Sequence, residues 1–257
     1  MCTLILIHKM LPDLPVVLAS NRDEWLARPS APPTFLDHPL QIVGGQDRVA
    51  QGTWLGVSHG GFFAGVTNQR QPGPPDAQLK SRGALVMDVL RAGSEGGVEK
   101  AKGLLEETPF AAYNPFHLMF GDGQDVWVTD TSIGSKLVKI PRGVHVLTND
   151  GLNAKTFPKV DRIRTLLEPL PTDWGALSAL LKKVLSDNTP PADIPEDPEF
   201  NLPLEARSAL HSIRVELPQY GTCSSSLIAI SDSGLHDYLH ADGTPGVAPF
   251  IQQGHLL

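Results

Sequence analysis

Cys2 stands directly behind the initiator methionine and heads the apolar run CTLILIH. A starting methionine is removed by aminopeptidase when the next side chain is small, and cysteine qualifies. Processing would leave one residue bearing both a thiol and a free α-amine. These groups titrate near ~8.5 and ~7.7–8.0, close enough to share a proton at neutral pH. Cys2 is therefore a candidate nucleophile that carries its own general base, the arrangement known for N-terminal threonine nucleophiles. Its plain alternative is a small buried apolar side chain, the usual fate of a free cysteine.

Three further groups of residues decide between these readings. Asn21, Arg22, Asp23 and Glu24 are four consecutive polar residues behind the apolar stretch LPVVLA. As a solvated turn with a local ion pair they would contribute little. If the stretch before them folds back on CTLILIH, however, they return beside Cys2, where a carboxylate can orient the α-ammonium and a guanidinium can lower the thiol pKa. Asn68 and Asn149 each end an apolar stretch, FFAGVTN and GVHVLTN. Asparagine commonly caps strands, but two such ends can also present amide N–H donors to a developing oxyanion. His236 and His240 would suit a metal on a helix; GLHDYLH reads as a strand, where they stand about 13 Å apart at ~3.3 Å per residue. Neither a metal nor a cofactor is expected.

These residues need rigid elements to hold them. CTLILIH and LPVVLAS are rich in β-branched residues and separated by KMLPD, which predicts a hairpin over 2–8 and 14–20. SNRDEW, ARPSAPP and LDHPL are expected to form turn and extended loop because of their polar and proline content. GTWLGVSHGGFFAGVTNQR predicts two strands about a His-Gly-Gly turn. Ser81 precedes RGALVMDVLRA, helical by spacing, and GGVEKAKGLLEE predicts a second helix. FHLMFGDGQDVWVTD, GSKLVKI and VHVLTND read as strands. KVDRIRTLLEPL and WGALSALLKKVLSD read as amphipathic helices, with Val160, Ile163, Leu166 and Leu167 along the apolar stripe of the first. NTPPADIPEDPEFNLP is expected to be an irregular excursion, followed by strands at HSIRV, TCSSSLIAIS and LHDYLH. Antiparallel hairpins interleaved with two blocks of helices predict an α+β architecture and exclude the βαβα alternation of nucleotide-binding folds.

The 257 residues suit a single domain spanning 1–257 with a substantial core. Net charge is −7 and the Lys and Arg residues are scattered, which excludes nucleic acid as a partner. The opening apolar run is too short for a signal peptide, and no stretch approaches the ~20 apolar residues of a membrane helix. A cytoplasmic protein without membrane insertion, its two cysteines reduced, is expected.

The stretches MCTLI, ASNRDEWLARPS, GTWLGVS, VTN, TFPKV and YGTCSSS, in this order along nearly the whole chain, resemble the NRDE family, also called the transport and Golgi organisation protein 2 family. Members look like N-terminal nucleophile (Ntn) hydrolases of the cysteine type, relatives of bile-salt hydrolases and penicillin V acylase. The resemblance implies a four-layer αββα sandwich, two antiparallel sheets face to face with helices on the outer faces. Carried over residue by residue, it implies Cys2 as nucleophile, Asp23 as the carboxylate holding the α-amine, Asn68 as oxyanion donor and Asn149 as the second asparagine of the pocket, with Arg22 tuning the thiol. There are two departures. The cysteine hydrolases carry an arginine ahead of the aspartate where this chain has Ser20, and the arginine that follows YGT in the family is here Cys223.

The expected activity is amidase-like hydrolysis of a non-peptide C–N bond in a small-molecule amide, through a thioester on Cys2. The alternative implied by the family is a non-catalytic carrier, its cleft holding haem or a lipid or acyl-CoA-type hydrophobic ligand.

Overall fold

The computed structural model describes residues 2–130, 136–196, 200 and 202–256. Met1, the first two residues of GSKLVKI and residues 197–199 and 201 of the proline-rich excursion lie outside the described residues. In chain order the strands are β1 (Cys2–His8), β2 (Val16–Trp25), β3 (Ser30–Asp37), β4 (Ile42–Asp47), β5 (Leu55–Ser58), β6 (Phe63–Asn68), β7 (Phe116–Gly121), β8 (Val126–Asp130), β9 (Lys136–Ile140), β10 (Gly143–Thr148), β11 (Gly151–Leu152), β12 (Tyr220–Ser231), β13 (Gly234–Asp242) and β14 (Ile251–Gln252). The helices are α1 (Arg82–Glu107), α2 (Lys159–Leu166), α3 (Trp174–Leu185) and α4 (Leu204–Leu210). Among the described residues the strands form two antiparallel sheets, ordered β11-β10-β1-β2-β12-β13-β14 and β3-β4-β5-β6-β7-β8-β9.

Strand alternation sorts each side chain into one of three buried layers. Ile5, Ile7, Val17 and Ala19 point out of the first sheet and pack on Val160 and Ile163 of α2 and Leu177, Leu181 and Val184 of α3. Their neighbours Leu4, Leu6, Val16 and Leu18 point the other way and meet Val43, Leu55, Val57, Phe63 and Met119 of the second sheet. The outer face of that sheet, with Ile42, Ala64 and Phe120, is covered by Leu85, Val86, Val89 and Leu90 of α1. Three apolar interfaces between four layers make an αββα sandwich. Ser81 caps α1 by accepting from the Ala84 N–H at 3.3 Å. The two expected helices are joined through a kink at Gly96 and Gly97, where Gly97 takes φ +69°. No helix among the described residues is long and apolar enough to cross a membrane.

Several expectations are corrected. SNRDEW is not a turn; it is the second half of β2, and Asn21, Arg22 and Asp23 are all buried. The ladder continues because β1 pairs with one side of β2 and β12 with the other. The proline-rich stretch behind it is also strand: β3 occupies a sheet edge, and its register against β4 shifts between Ala31 and Thr34. Prolines 32 and 33 fall in that irregularity, where an edge strand can lack ladder donors. β4 and α4 carried no clear local signal, since GG interrupts the first and α4 is only seven residues long. HSIRV is not a strand; Ile213 and Val215 are buried, but the segment forms a turn with a single bridge, Glu216 to Gly221.

His240 of β13 is buried with its Nδ1 3.0 Å from Ser226 Oγ. Burial lowers its pKa from 6.5 to about 4, and the same cause lowers that of His211 to about 4. Between those values the unfolded chain binds protons that the folded chain refuses, so stability falls as pH falls through this window. His240→Gln is expected to shrink the loss of urea-unfolding stability between about pH 7 and pH 5 by about 1–2 kcal/mol. Identical pH slopes for the variant and the parent protein would exclude His240 as a contributor.

Candidate active site

Cys2 opens β1, a strand in the middle of the first sheet. On one side its partner in the ladder is Arg22 of β2. On the other, β1 pairs with β10 as Leu4 with Leu147, and carrying that register two residues further sets Asn149 opposite Cys2. Cys2 has the same parity as Leu4 and Leu6, so its side chain belongs to the layer between the sheets. The Arg22 side chain lies in that layer too: its guanidinium stacks 4.6 Å from the ring centroid of Trp54 and donates to Ser30 Oγ at 3.4 Å. Trp54 is held in turn by Gly45, where a Cβ would lie 2.4 Å from the indole.

Asn21 and Asp23 occupy the opposite face of β2, toward the helices. Asn21 Nδ2 donates to the carbonyls of Leu185 at 2.9 Å and Ile213 at 3.0 Å, and its Oδ1 accepts from Ser225 Oγ at 2.5 Å. It thereby ties the end of α3 and the irregular segment before β12 to the central sheet. Asp23 Oδ1 accepts from Thr222 Oγ1 at 2.6 Å, and the Asp23 carbonyl accepts from the Tyr220 hydroxyl at 2.9 Å. Burial raises the pKa of Asp23, opposed most by the ammonium of Lys159. Burial also pushes the Cys2 thiol up, and the Asp23 carboxylate adds to this, while Arg22 and the Asp23 backbone N–H pull it down.

The second sheet contributes Asn68 at the end of β6. Asn149, itself buried, donates its side-chain amide to the Asn68 backbone carbonyl, and its own carbonyl accepts from the Arg70 N–H at 3.2 Å. Thr67 Oγ1 donates to the Thr148 carbonyl at 3.0 Å, so the ends of β6 and β10 are stitched together across the sandwich. All five residues singled out from the sequence, Cys2, Arg22, Asp23, Asn68 and Asn149, thus lie at one end of the two sheets. Arg22 touches the site through its side chain, Asn149 through its bond to Asn68.

Cys223 sits in a bulge of β12. The ladder passes from Asp23–Thr222 to Arg22–Ser224 and leaves it unpaired, its Sγ 3.3 Å from the Gly221 carbonyl and 3.5 Å from that of Glu24. Both cysteines are free thiols, with β2 running between their strands. Two charged residues beside Cys2 were not found by sequence reasoning. Lys159, at the start of α2, is buried and acts on Asp23 and Cys2. Arg82, behind the helix cap, feels Cys2 and Glu24 while donating to the Pro115 carbonyl at 3.1 Å. The only trace of Lys159 in the sequence is its place inside TFPKV; Arg82 left none. Two surface concavities, of about 160 and 320 Å³, border α1 and contain none of the five expected residues.

The same sandwich occurs in two variants of conjugated bile acid hydrolase from Clostridium perfringens, with TM-scores of 0.51 and 0.50 and identities of 14% and 13%, over 99% of this chain and 93% of theirs. At such identities the likeness is one of fold alone, the αββα sandwich of Ntn-hydrolase type. Residues 1–241 match the Transport and Golgi organisation 2 family model, and the chain belongs to that family. The Bos taurus Transport and Golgi organization protein 2 homolog is 28% identical over 237 residues, 85% of this chain and 83% of that protein. The Homo sapiens homolog is 41% identical over 78 residues, which span 29% of this chain and only 28% of the human protein.

Removing the Asn21 side chain would leave two buried carbonyls and the Ser225 hydroxyl without partners. Asn21→Ala is expected to lower stability by about 1–3 kcal/mol in urea unfolding. A variant as stable as the parent would show that the helix layer is held without it.

Proposed function

We propose that this protein is an N-terminal-cysteine hydrolase of the amidase type, cutting a non-peptide C–N bond of a small-molecule amide through a thioester, in the reducing cytoplasm. The observation that carries the reading is the meeting of Arg22, Asp23, Asn149 and Asn68, from both sheets, at the first residue of a central strand. A cysteine needed only for packing would not require this surround. Likeness to proteins named as hydrolases supports the same reading.

Removal of Met1 frees the α-amine of Cys2. The amine takes the thiol proton, and the sulfur adds to the amide carbonyl. Charge developing on the carbonyl oxygen is met by the Asn68 side-chain amide, while Asn149 holds the end of β6 in place through the Asn68 carbonyl. Collapse breaks the C–N bond, and the α-ammonium returns its proton to the leaving nitrogen. Water then attacks the thioester with the amine as base, releasing the acid and restoring the thiol. Asp23 holds the amine. Arg22 stabilises the thiolate, and Trp54 restricts its guanidinium to that position.

Two measurements test this. The intact mass of protein isolated from its own cell is expected to lack one methionine residue; a retained or acylated N-terminus would remove the base and leave only a binding role for the cleft. Cys2→Ala is expected to abolish hydrolysis across a panel of N-acyl aminocoumarins, with circular dichroism unchanged. Turnover that survives the substitution would take Cys2 out of the mechanism.

A further inference from the structure

The turn that carries Asn149 is the tip of the β10–β11 hairpin, and the base of that hairpin is closed by a side chain. β11 pairs with β10 as Leu147 with Leu152 and Thr148 with Gly151. The next rung joins Val146 to Asn153, whose N–H donates to the Val146 carbonyl at 2.7 Å. Directly opposite residues of such a rung normally exchange two backbone bonds. Asn153, however, takes φ +55°, which turns the chain out of the strand. Its side chain makes the second bond instead, Oδ1 accepting from the Val146 N–H at 3.0 Å.

The partners of this rung fix its protons. A backbone N–H only donates, so the atom of Asn153 that faces Val146 is the amide oxygen. The amide nitrogen is thereby aimed at His145 Nδ1, 3.1 Å away. A carbonyl only accepts, so His145 Nε2, 2.9 Å from the Pro141 carbonyl, carries a ring proton. One neutral tautomer meets both conditions, with Nδ1 bare and accepting; a proton on Nδ1 would face an NH2 group. The ionisable neighbours acting on His145 among the described residues are His8 of β1, whose Nδ1 lies 3.3 Å from the same Pro141 carbonyl, and Arg164 of α2. Neither brings negative charge. Burial lowers the pKa of His145, and Arg164 lowers it further. At the other end of the hairpin, His117 of β7 lies beside Gly151.

We propose that Asn153 and His145 are positioning residues of the Cys2 site: neutral His145 aims the Asn153 amide, the amide closes the base of the β10–β11 hairpin, and the closed hairpin holds Asn149 against Asn68. β11 is two residues long and forms the edge of its sheet. So short a hairpin is marginal by itself, and a side-chain rung at its base is a large share of what fixes the tip. The tip meets the facing sheet through Asn149 on the Asn68 carbonyl and Thr67 Oγ1 on the Thr148 carbonyl, bonds that need it presented in one position. The proposal rests on the hydrolase reading for its purpose, though not for its measurement.

Imidazole nitrogen NMR of the full chain, with the His145 signals assigned by their loss in His145→Gln, reads the tautomer. At neutral pH the ring is expected to carry one proton, on Nε2; a proton on Nδ1 would overturn the proposal. Hydrogen exchange of the Arg70 amide, which donates to the Asn149 carbonyl at 3.2 Å, reports on the tip. Asn153→Gly keeps the backbone conformation and loses the rung, and exchange at Val146 and Arg70 is expected to quicken about tenfold. An asparagine kept only for its positive φ would be replaced by glycine without that effect. Asn153→Asp retains an acceptor for Val146 and offers its second oxygen to a protonated His145. It is expected to restore slow exchange and to raise the proton affinity of His145 about tenfold or more. Unchanged Arg70 exchange in Asn153→Gly would show a tip held without its base, and an unmoved His145 titration in Asn153→Asp would show two uncoupled side chains; either result overturns the proposal. None of these signals depends on cleavage of an amide, so failure here and failure of the hydrolase reading are separate results.

Discussion

The architecture turns on the second half of β2, where Asn21, Arg22 and Asp23 run through the sheet with exposures of 0, 3 and 1%. A buried polar run survives only if each member is satisfied. Here the partners come from different elements: backbone carbonyls on the helix side for Asn21, Trp54 just before β5 for Arg22, and Thr222 of the adjacent strand for Asp23 Oδ1. Register follows from this. A slip of one residue would turn Asn21 and Asp23 toward the inter-sheet core and drive Arg22 into the helix layer, leaving all three without partners. The pairing of Cys2 with Arg22 is therefore fixed less by the ladder than by the side chains behind it.

The two ends of the first sheet bear opposite duties. From Leu4 to Ile7 and from Val16 to Ala19 both faces are apolar and almost fully buried, which is where packing stabilises the sandwich. Toward Cys2 the same strands carry charge on both faces, and burial shifts the thiol, the carboxylate and the ammonium alike toward their neutral forms. An apolar replacement of the set would pack at least as well in principle. Keeping it is understandable where chemistry, and not stability, sets the residue choice.

How much of this was legible depended on whether the signal was local. The β-branched apolar run CTLILIH identified β1, though not its two faces, and Asn68 and Asn149 could be read because each ends an apolar run. The NRDE stretch could be assigned chemistry but not conformation: Asn, Arg, Asp and Glu favour turns or exposed positions, and only pairing on both sides makes them strand. Prolines in β3 misled for the converse reason, since an edge position removes the penalty they usually bring. Lys159 was out of reach. On a helix read by its apolar stripe it falls among the polar positions, and only tertiary packing, including the Phe157 ring, buries it.

The cysteine at 223 can be understood from the same charges. Arg22 already acts on the Cys223 thiol as well as on Cys2, because β2 runs between their strands. A second guanidinium in the β12 bulge would face Arg22 at close quarters, and two like charges removed from water raise each other's energy. With Arg22, Arg82 and Lys159 reaching the site from β2, α1 and α2, positive charge near Cys2 is not short. A small thiol donating weakly to the Gly221 and Glu24 carbonyls fills the bulge without adding to that repulsion. The departure from the family pattern at 223 therefore alters where the cations stand around Cys2, while leaving the site cationic.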